Sequence, residues 1–144
     1  MATVAHLFRA AKGKLPMVEI PEAEAIAAFG LAGCAHGKKN GHRQILLVDQ
    51  ETLDAMGLQP GIIRENVTTQ GLNVNGLVIG ELLRIGEALL QVSAVCTPCD
   101  QLELVRTGLR REIYGRRGML CRVVEGGTIR VGDAIERVVV AATV

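Results

Sequence analysis

The sequence predicts a mainly β domain: a closed or partly closed β-barrel with two or three short helices. Three observations predict this class. Many of the 17 glycines fall between short apolar runs, which is typical of short strands joined by turns. The strand–helix–strand alternation of parallel α/β sheets is not visible in the pattern. The length of 144 residues suits one domain with its own core, which we place at residues 1–144.

The composition indicates an aliphatic core and excludes two classes of partner. Hydrophobic residues make up 49% of the chain and aromatic residues only 2%, so Val, Ile, Leu and Ala must fill the interior. Few aromatic rings and a net charge of +1 argue against nucleic-acid binding. No apolar run approaches the length of a membrane span, and no signal-peptide pattern is visible. We therefore expect a cytoplasmic protein with reduced cysteines and with no nucleic-acid or membrane partner.

The first half of the chain contains one predicted helix. Residues 18–28 mix apolar, acidic and small residues, which fits a strand or a helix. Residues 30–41 are loop-like, and residues 44–48 are predicted as a buried strand. Asp49 is a suitable N-cap for a helix that reaches Met56. A turn, a strand and a loop are predicted next, at Pro60-Gly61, residues 62–67 and residues 68–80.

The second half consists of strands around one longer helix. Residues 82–85 and 88–95 form a predicted hairpin around Gly86-Glu87. Residues 97–114 repeat apolar side chains at helical spacing, and Gly108 weakens this helix near its middle. The last predicted strands lie at residues 120–124, 128–131 and 134–140.

Cys99 is the leading candidate for a reactive group. It lies in the segment Cys96-Thr97-Pro98-Cys99-Asp100, where a predicted strand gives way to the predicted helix. Thr97 suits the N-cap and Pro98 the first helical position, which places Cys99 in the first turn. Backbone N–H groups and the helix dipole stabilise a thiolate there. A thiolate is the form that ligates a soft metal or accepts sulfur.

Three other interpretations of Cys99 stay open. It is also compatible with a small buried apolar residue that has no chemistry. Cys96 and Cys99 have the spacing of a dithiol redox pair, although no thioredoxin-like pattern surrounds them. Together with Cys34 and His36, or with Cys121, they would supply the ligands of a tetrahedral zinc site.

Arginines are concentrated in one stretch of the second half. This cluster predicts either a solvated surface or an anion site, because the planar guanidinium matches phosphate and carboxylate groups. Its members are Arg106, Arg110, Arg111, Arg116, Arg117 and Arg122.

Five segments in order resemble the signatures of MOSC domains, the C-terminal domains of molybdenum cofactor sulfurases. Residues 60–72, PGIIRENVTTQGL, are similar to the family's PG…REN…T…G pattern, and Thr97-Pro98-Cys99 to its PC cysteine. The match covers residues 30–138, with Cys34 where many members carry Asp, and with Cys96 as an additional thiol. The other three segments are residues 33–37 with Arg43-Gln44, residues 79–86, and residues 117–123 with Gly132-Asp133.

The resemblance implies a β-barrel with one functional cysteine, and it identifies the chain as a short, free-standing member. The implied role is that of a sulfur carrier or of a domain that binds the molybdenum cofactor (molybdopterin). The implied partners are a cysteine desulfurase or other sulfur donor, and a molybdoenzyme or metal–sulfur assembly acceptor. A molybdenum-dependent reductase of N-hydroxylated compounds and a non-enzymatic zinc-binding or scaffold domain are the alternatives. No covalent pyridoxal phosphate is expected, because the four lysines lie in loop-like or N-terminal segments.

The predicted site residues follow from both arguments. Cys99 would be the persulfide carrier or the molybdenum ligand. Arg64, Asn66 and Thr68 alternate along a predicted extended segment, so they would share one face. Such a face would hold a phosphate and the polar edge of a pterin, although a solvated sheet edge is equally compatible. The resemblance adds His36, Arg43, Thr97, Arg117 and Gly118 as cofactor-binding candidates.

Overall fold

A computed structural model describes residues 1–10, 17–34, 41 and 44–138. Two short α-helices, α1 (Gln50–Ala55) and α2 (Leu109–Glu112), lie among the described residues, with 3₁₀ helices at Val74–Gly76 and Asp100–Leu104. None of the helices in these ranges is both long and apolar enough to cross a membrane. The strands of the described residues are β1 (Thr3–Arg9), β2 (Val18–Ile20), β3 (Glu22–Ile26), β4 (Gly30–Leu31), β5 (Ile45–Asp49), β6 (Val67–Gln70), β7 (Leu82–Ile85), β8 (Ala88–Val95), β9 (Met119–Glu125), β10 (Gly127–Arg130) and β11 (Ile135–Val138).

The strands form two sheets. The larger sheet has the order β11-β7-β8-β9-β5-β6-β1-β2, and the smaller has the order β10-β3-β4. Every pairing is antiparallel except that of β5 with β6, which α1 connects. Because this pair is parallel, the residues that precede β6 lie beside the start of β5, where the backbone N–H of Asn66 donates a hydrogen bond to the carbonyl oxygen of Leu46. The chain before β6 includes Arg64, one of the predicted site residues.

The mainly β class is confirmed, whereas of the predicted closed or partly closed barrel the closed form is wrong. No sheet of the described residues closes on itself. The reason lies in β1, which pairs with β6 along one edge and with β2 along the other. At the opposite edge of the sheet, the start of β1 meets the chain just before β11 through an isolated bridge between Thr3 and Ala134 and through backbone hydrogen bonds that join Val4 to Gly132 and Asp133.

Two apolar clusters lie on opposite faces of the central strands. Every residue of β5 is buried, which explains its nearly continuous apolar sequence. Because side chains alternate along a strand, Leu47 enters one cluster, whereas Leu46 and Val48 enter the other. The second cluster also contains Leu109 and Ile113, so the segment around α2 is packed onto this face of the sheet. This packing holds the chain after Cys99 in place.

Several predicted elements are confirmed. The hairpin of β7 and β8 turns at Gly86-Glu87, as predicted. Helix α1 ends at Ala55, with the predicted last residue Met56 as its C-cap. Its N-cap is Asp49, whose side chain accepts hydrogen bonds from the backbone N–H and the hydroxyl of Thr52.

Other elements differ from the prediction or were left open by it. Residues 18–28, for which a strand and a helix were both compatible, contain β2 and β3, and β1 was not predicted. Residues 61–63 form a turn, and the strand begins only at Val67. The helix predicted over residues 97–114 is two short helices, because Gly108 takes a left-handed conformation with φ +86°.

Candidate functional site

Cys99 is exposed, but it does not lie in the first turn of a helix. It follows β8 and is itself the N-cap of the 3₁₀ helix Asp100–Leu104, with extended backbone angles. Thr97 is therefore not the N-cap, and Pro98 is not the first helical residue. The correction removes the geometric basis for stabilising a thiolate with a long helix, since this helix has only five residues. Solvent access to the thiol remains.

The other three cysteines are buried. The sulfur of Cys34 accepts hydrogen bonds from the backbone N–H of Ala10 at 3.3 Å and the side-chain amide of Asn66 at 3.4 Å. Burial raises the pKa of the Cys121 thiol to about 12, so this thiol stays protonated at neutral pH. No group of three or more potential metal ligands occurs in the part of the chain that the structure describes. His36, a predicted member of the zinc set, lies outside those residues.

Arg117 and Gly118 connect the segment around Arg64 with the segment that contains Cys99. The Nη2 group of Arg117 donates a hydrogen bond to the carbonyl oxygen of Ile63 at 2.8 Å. The carbonyl oxygen of Gly118 accepts a hydrogen bond from the backbone N–H of Cys96 at 3.0 Å. The backbone N–H of Gly118 donates to Oδ1 of Asn75 at 3.2 Å. One dipeptide thus fixes the turn before Arg64 and the segment that leads to Cys99.

Of Arg64, Asn66 and Thr68, which were predicted to share one face, the structure leaves only Arg64 partly exposed. Arg64 is half-buried and has a left-handed backbone with φ +68°, which is uncommon for a residue other than glycine. Asn66 is buried and bridges three segments, because its side chain also binds the backbone N–H of Leu46 and the carbonyl of Phe8. Asn66 therefore fastens the turn to β5 and β1.

Thr68 is also buried, and its hydroxyl donates a hydrogen bond to Glu65 at 3.0 Å. Direct contact of a cofactor with Asn66 or Thr68 would require these internal hydrogen bonds to break. Both side chains stabilise the turn that carries Arg64. Of the remaining predicted residues, Thr97 is exposed, whereas Arg43, like His36, lies outside the described residues.

Glu65 is a buried charged residue that the sequence analysis did not select. The same carboxylate oxygen that binds Thr68 accepts a hydrogen bond from the backbone N–H of Gly61 at 2.9 Å. Burial raises the pKa of Glu65, although these hydrogen bonds and the positive charge of Arg117 lower it. Its other carboxylate oxygen, and Nε and Nη1 of Arg117, have no hydrogen-bond partner among the described residues. The available sequence signal was an acidic residue two positions after the apolar pair Ile62-Ile63 and next to Arg64.

A cleft of about 650 Å³ lies beside Cys99, and we call it the Cys99 cleft. Cys99 is not part of the lining, but the residues on both sides of it are. The cleft lies between the 3₁₀ helix that Cys99 caps and α2, and Gly108 connects these two elements. The lining residues are Thr97, Pro98, Asp100, Glu103, Gly108, Arg110, Arg111, Glu112 and Tyr114.

Comparison with known proteins decides the family. A family model for the MOSC domain matches residues 35–136, which is most of the chain. The chain belongs to the MOSC domain family. The match includes the turn around Arg64, Cys99 and the Arg117-Gly118 dipeptide. No curated protein matches this MOSC domain.

Solved structures share the fold of this MOSC domain. The YuaD protein from Bacillus subtilis superimposes with a TM-score of 0.79 and 21% identity, over 94% of each chain. YiiM from Geobacillus stearothermophilus gives a TM-score of 0.75 and 21% identity, over 96% of this chain and 75% of its own. YiiM from Escherichia coli gives a TM-score of 0.71 and 22% identity, over 96% and 72%. The TM-scores establish a common fold. Because the identities are this low, the chemistry must be argued from the site itself.

Proposed function

We propose that this MOSC domain is a sulfur carrier or cofactor-binding domain linked to the molybdenum cofactor, with Cys99 as its reacting group. One observation carries the proposal: Cys99 is the exposed member of the four cysteines, and it stands beside a cleft of about 650 Å³. That volume lies within the range of small-molecule sites. The neighbouring Cys96 is buried, so the two thiols of the motif differ in accessibility.

As a sulfur carrier, Cys99 would act as a thiolate nucleophile. The thiolate attacks the terminal sulfur of a persulfide on a donor such as a cysteine desulfurase. A new S–S bond forms on Cys99, the S–S bond of the donor breaks, and the donor leaves as a thiolate. The proton of the persulfide stays on the transferred sulfur, and no external oxidant is required. The acceptor would be a molybdoenzyme or a metal–sulfur assembly protein.

The residues fit the molybdenum cofactor in part. Cys99 offers an exposed soft ligand for the metal, and the half-buried Arg64 offers a guanidinium for the anionic part of the pterin. Arg117 would support Arg64 through its hydrogen bond to Ile63. The cofactor, when bound, supplies a metal that changes oxidation state or receives sulfur. Thr97 contributes to the cleft beside the thiol, while Arg43 and His36 remain predictions from the family resemblance.

Mass spectrometry of protein co-expressed with a cysteine desulfurase tests sulfur transfer. We expect one additional sulfur on the peptide that contains Cys99, lost after reduction with dithiothreitol and absent from Cys99→Ser. Cys96→Ser is the matched control in the same motif, and it should keep the persulfide. A persulfide that persists in Cys99→Ser would contradict the assignment.

Elemental analysis of protein purified from cells that make the molybdenum cofactor tests whether the domain binds this cofactor. We expect molybdenum in the wild-type protein and its loss in Cys99→Ser. If neither sulfur nor molybdenum associates with the protein, the proposed function is wrong. Zinc at one atom per chain, lost in Cys96→Ala, would instead favour the zinc-binding alternative.

A further inference from the structure

The charged side chains around the Cys99 cleft differ in whether they form hydrogen bonds or ion pairs with other described residues. The segment from Asp100 to Arg116 contains four arginines and three carboxylates. Asp100 forms an ion pair with Arg110 at 2.5 Å, and Glu112 forms one with Arg106 at 3.2 Å. Two of the three carboxylates in the lining are therefore already compensated by arginines of the same segment.

The third carboxylate, Glu103, is engaged by the backbone. Its two oxygens accept hydrogen bonds from the N–H groups of Gly108 at 2.9 Å and Arg110 at 3.0 Å. These two hydrogen bonds lower the pKa of Glu103, so the carboxylate is ionised and held against the chain. A ligand in the cleft would find no carboxylate in this lining that is without a partner.

Arg111 differs from its neighbours. It is exposed and lines the cleft, and its guanidinium forms no hydrogen bond or ion pair with any of the described residues. A guanidinium presents five N–H donors in a fixed plane, which matches the oxygens of a carboxylate or phosphate. The cleft thus offers the N–H donors of Arg111 to a ligand, whereas its carboxylates already accept hydrogen bonds or form ion pairs. This difference favours an anionic ligand over a cationic one. Pro98 and Tyr114 add apolar and aromatic surface for the body of such a ligand.

We propose that the Cys99 cleft binds the oxyanion group of the molecule that reacts at Cys99, and that Arg111 is the specificity-determining contact. The proposal rests on the proposed function, because it concerns the molecule that approaches the same thiol. It adds a chemical property of that molecule, which carries a carboxylate or phosphate close to its reacting atom. It also gives a role to an arginine that lines the cleft and has no partner among the described residues.

Two alkylating reagents that differ in charge test this proposal. Iodoacetate and iodoacetamide attach similar groups to a thiolate, but only iodoacetate is an anion. Rates at Cys99 are followed by mass spectrometry of the peptide that contains it. We expect Arg111→Gln to slow iodoacetate about threefold or more, the effect of roughly 0.7 kcal/mol from one nearby charge at the surface, and to leave iodoacetamide unchanged. Arg111→Lys should retain most of the iodoacetate rate.

Arg116→Gln is the matched control, because it removes the same charge from the same segment but lies outside the cleft lining. Inorganic phosphate and acetate, added as competitors of iodoacetate, distinguish a phosphate-bearing ligand from a carboxylate-bearing one. An iodoacetate-to-iodoacetamide ratio that is unchanged in Arg111→Gln, or equally lowered in Arg116→Gln, would overturn this inference alone. Failure of Cys99 to react with either reagent would overturn the proposed function and this inference together.

Discussion

Arg117 donates a hydrogen bond to the carbonyl oxygen of Ile63, which lies 54 residues earlier in the chain. The acceptor belongs to the residue immediately before Arg64, whose left-handed backbone is unusual for an arginine. Glu65, on the other side of Arg64, binds the N–H of Gly61 and the hydroxyl of Thr68. The conformation of Arg64 is therefore held from both sides by buried charged groups, which offsets the strain of its backbone.

Arg117→Met should destabilise the fold markedly. The substitution keeps much of the side-chain volume but leaves the carbonyl of Ile63 without its partner, and it removes the positive charge that faces buried Glu65. We expect the free energy of unfolding to fall by about 2–4 kcal/mol, measured by urea denaturation. Arg116→Met, at an exposed arginine next in sequence, should change it by less than about 1 kcal/mol. Equal effects of the two substitutions would contradict the connecting role of Arg117.

Gly118→Ala and Gly108→Ala separate backbone strain from steric conflict. Both glycines have positive φ values, +108° and +86°. A Cβ at Gly118 would lie 2.4 Å from the carbonyl oxygen of Leu47, whereas one at Gly108 would meet nothing within 4 Å. Urea denaturation should show a loss of about 3 kcal/mol or more for Gly118→Ala, and of about 1–2 kcal/mol for Gly108→Ala. Similar losses would show that strand β5 moves easily away from β9.

Glu65→Gln should change how stability depends on pH. Burial raises the pKa of Glu65 in the folded protein, so between the unfolded and folded pKa values the folded state binds more protons than the unfolded state. The contribution of this carboxyl to stability is then full below the unfolded pKa and is lost as the pH rises through the folded pKa. Glutamine keeps an acceptor oxygen for Gly61 and Thr68 but does not ionise.

Urea denaturation of both proteins between pH 4 and pH 8 measures this difference. Relative to the wild type, Glu65→Gln should gain stability as the pH rises. The difference between their free energies of unfolding should change with pH by an amount that corresponds to at most one bound proton. A variant whose loss of stability grows toward pH 8 would show that the electrostatic attraction between Glu65 and Arg117 outweighs the cost of burying the carboxylate. Arg117→Met in the same series provides the control, because loss of that positive charge should raise the pKa of Glu65 further and extend the decline in stability to higher pH.

The elements that the sequence predicted correctly are those fixed by local chemistry. Asp49 caps α1 through its own side chain, and Gly86-Glu87 closes a hairpin in which β7 pairs with the first half of β8. Both signals involve residues close in sequence. The helix predicted over residues 97–114 failed because its apolar spacing reflects packing against β5 and β9, whereas Gly108 interrupts the backbone. Periodicity reports which side is buried, and it does not guarantee a continuous helix.

The candidate site was only partly predictable for the same reason. Cys99 and the Arg117-Gly118 dipeptide were selected, and the structure connects them to one another through Cys96. The functions of Asn66 and Thr68 could not be inferred, because their partners Leu46, Phe8 and Glu65 are defined by tertiary contacts. Arg111 was visible only as one of six arginines, and only the ion pairs around it show that its guanidinium has no partner in the part of the chain that the structure describes.

Alkylation of the native protein should distinguish Cys99 from the other three cysteines. Cys99 is exposed, whereas Cys34, Cys96 and Cys121 are buried, and the raised pKa of Cys121 further suppresses its reaction at neutral pH. Iodoacetamide at pH 7.5 should therefore modify one cysteine before unfolding and all four in concentrated urea, as mass spectrometry of the intact protein would show. Cys99→Ser should give no modification in the native state and three in urea. If Cys121 or Cys34 reacts as fast as Cys99 in the native protein, accessibility does not single out residue 99, and the thiol chemistry must be sought elsewhere in the chain.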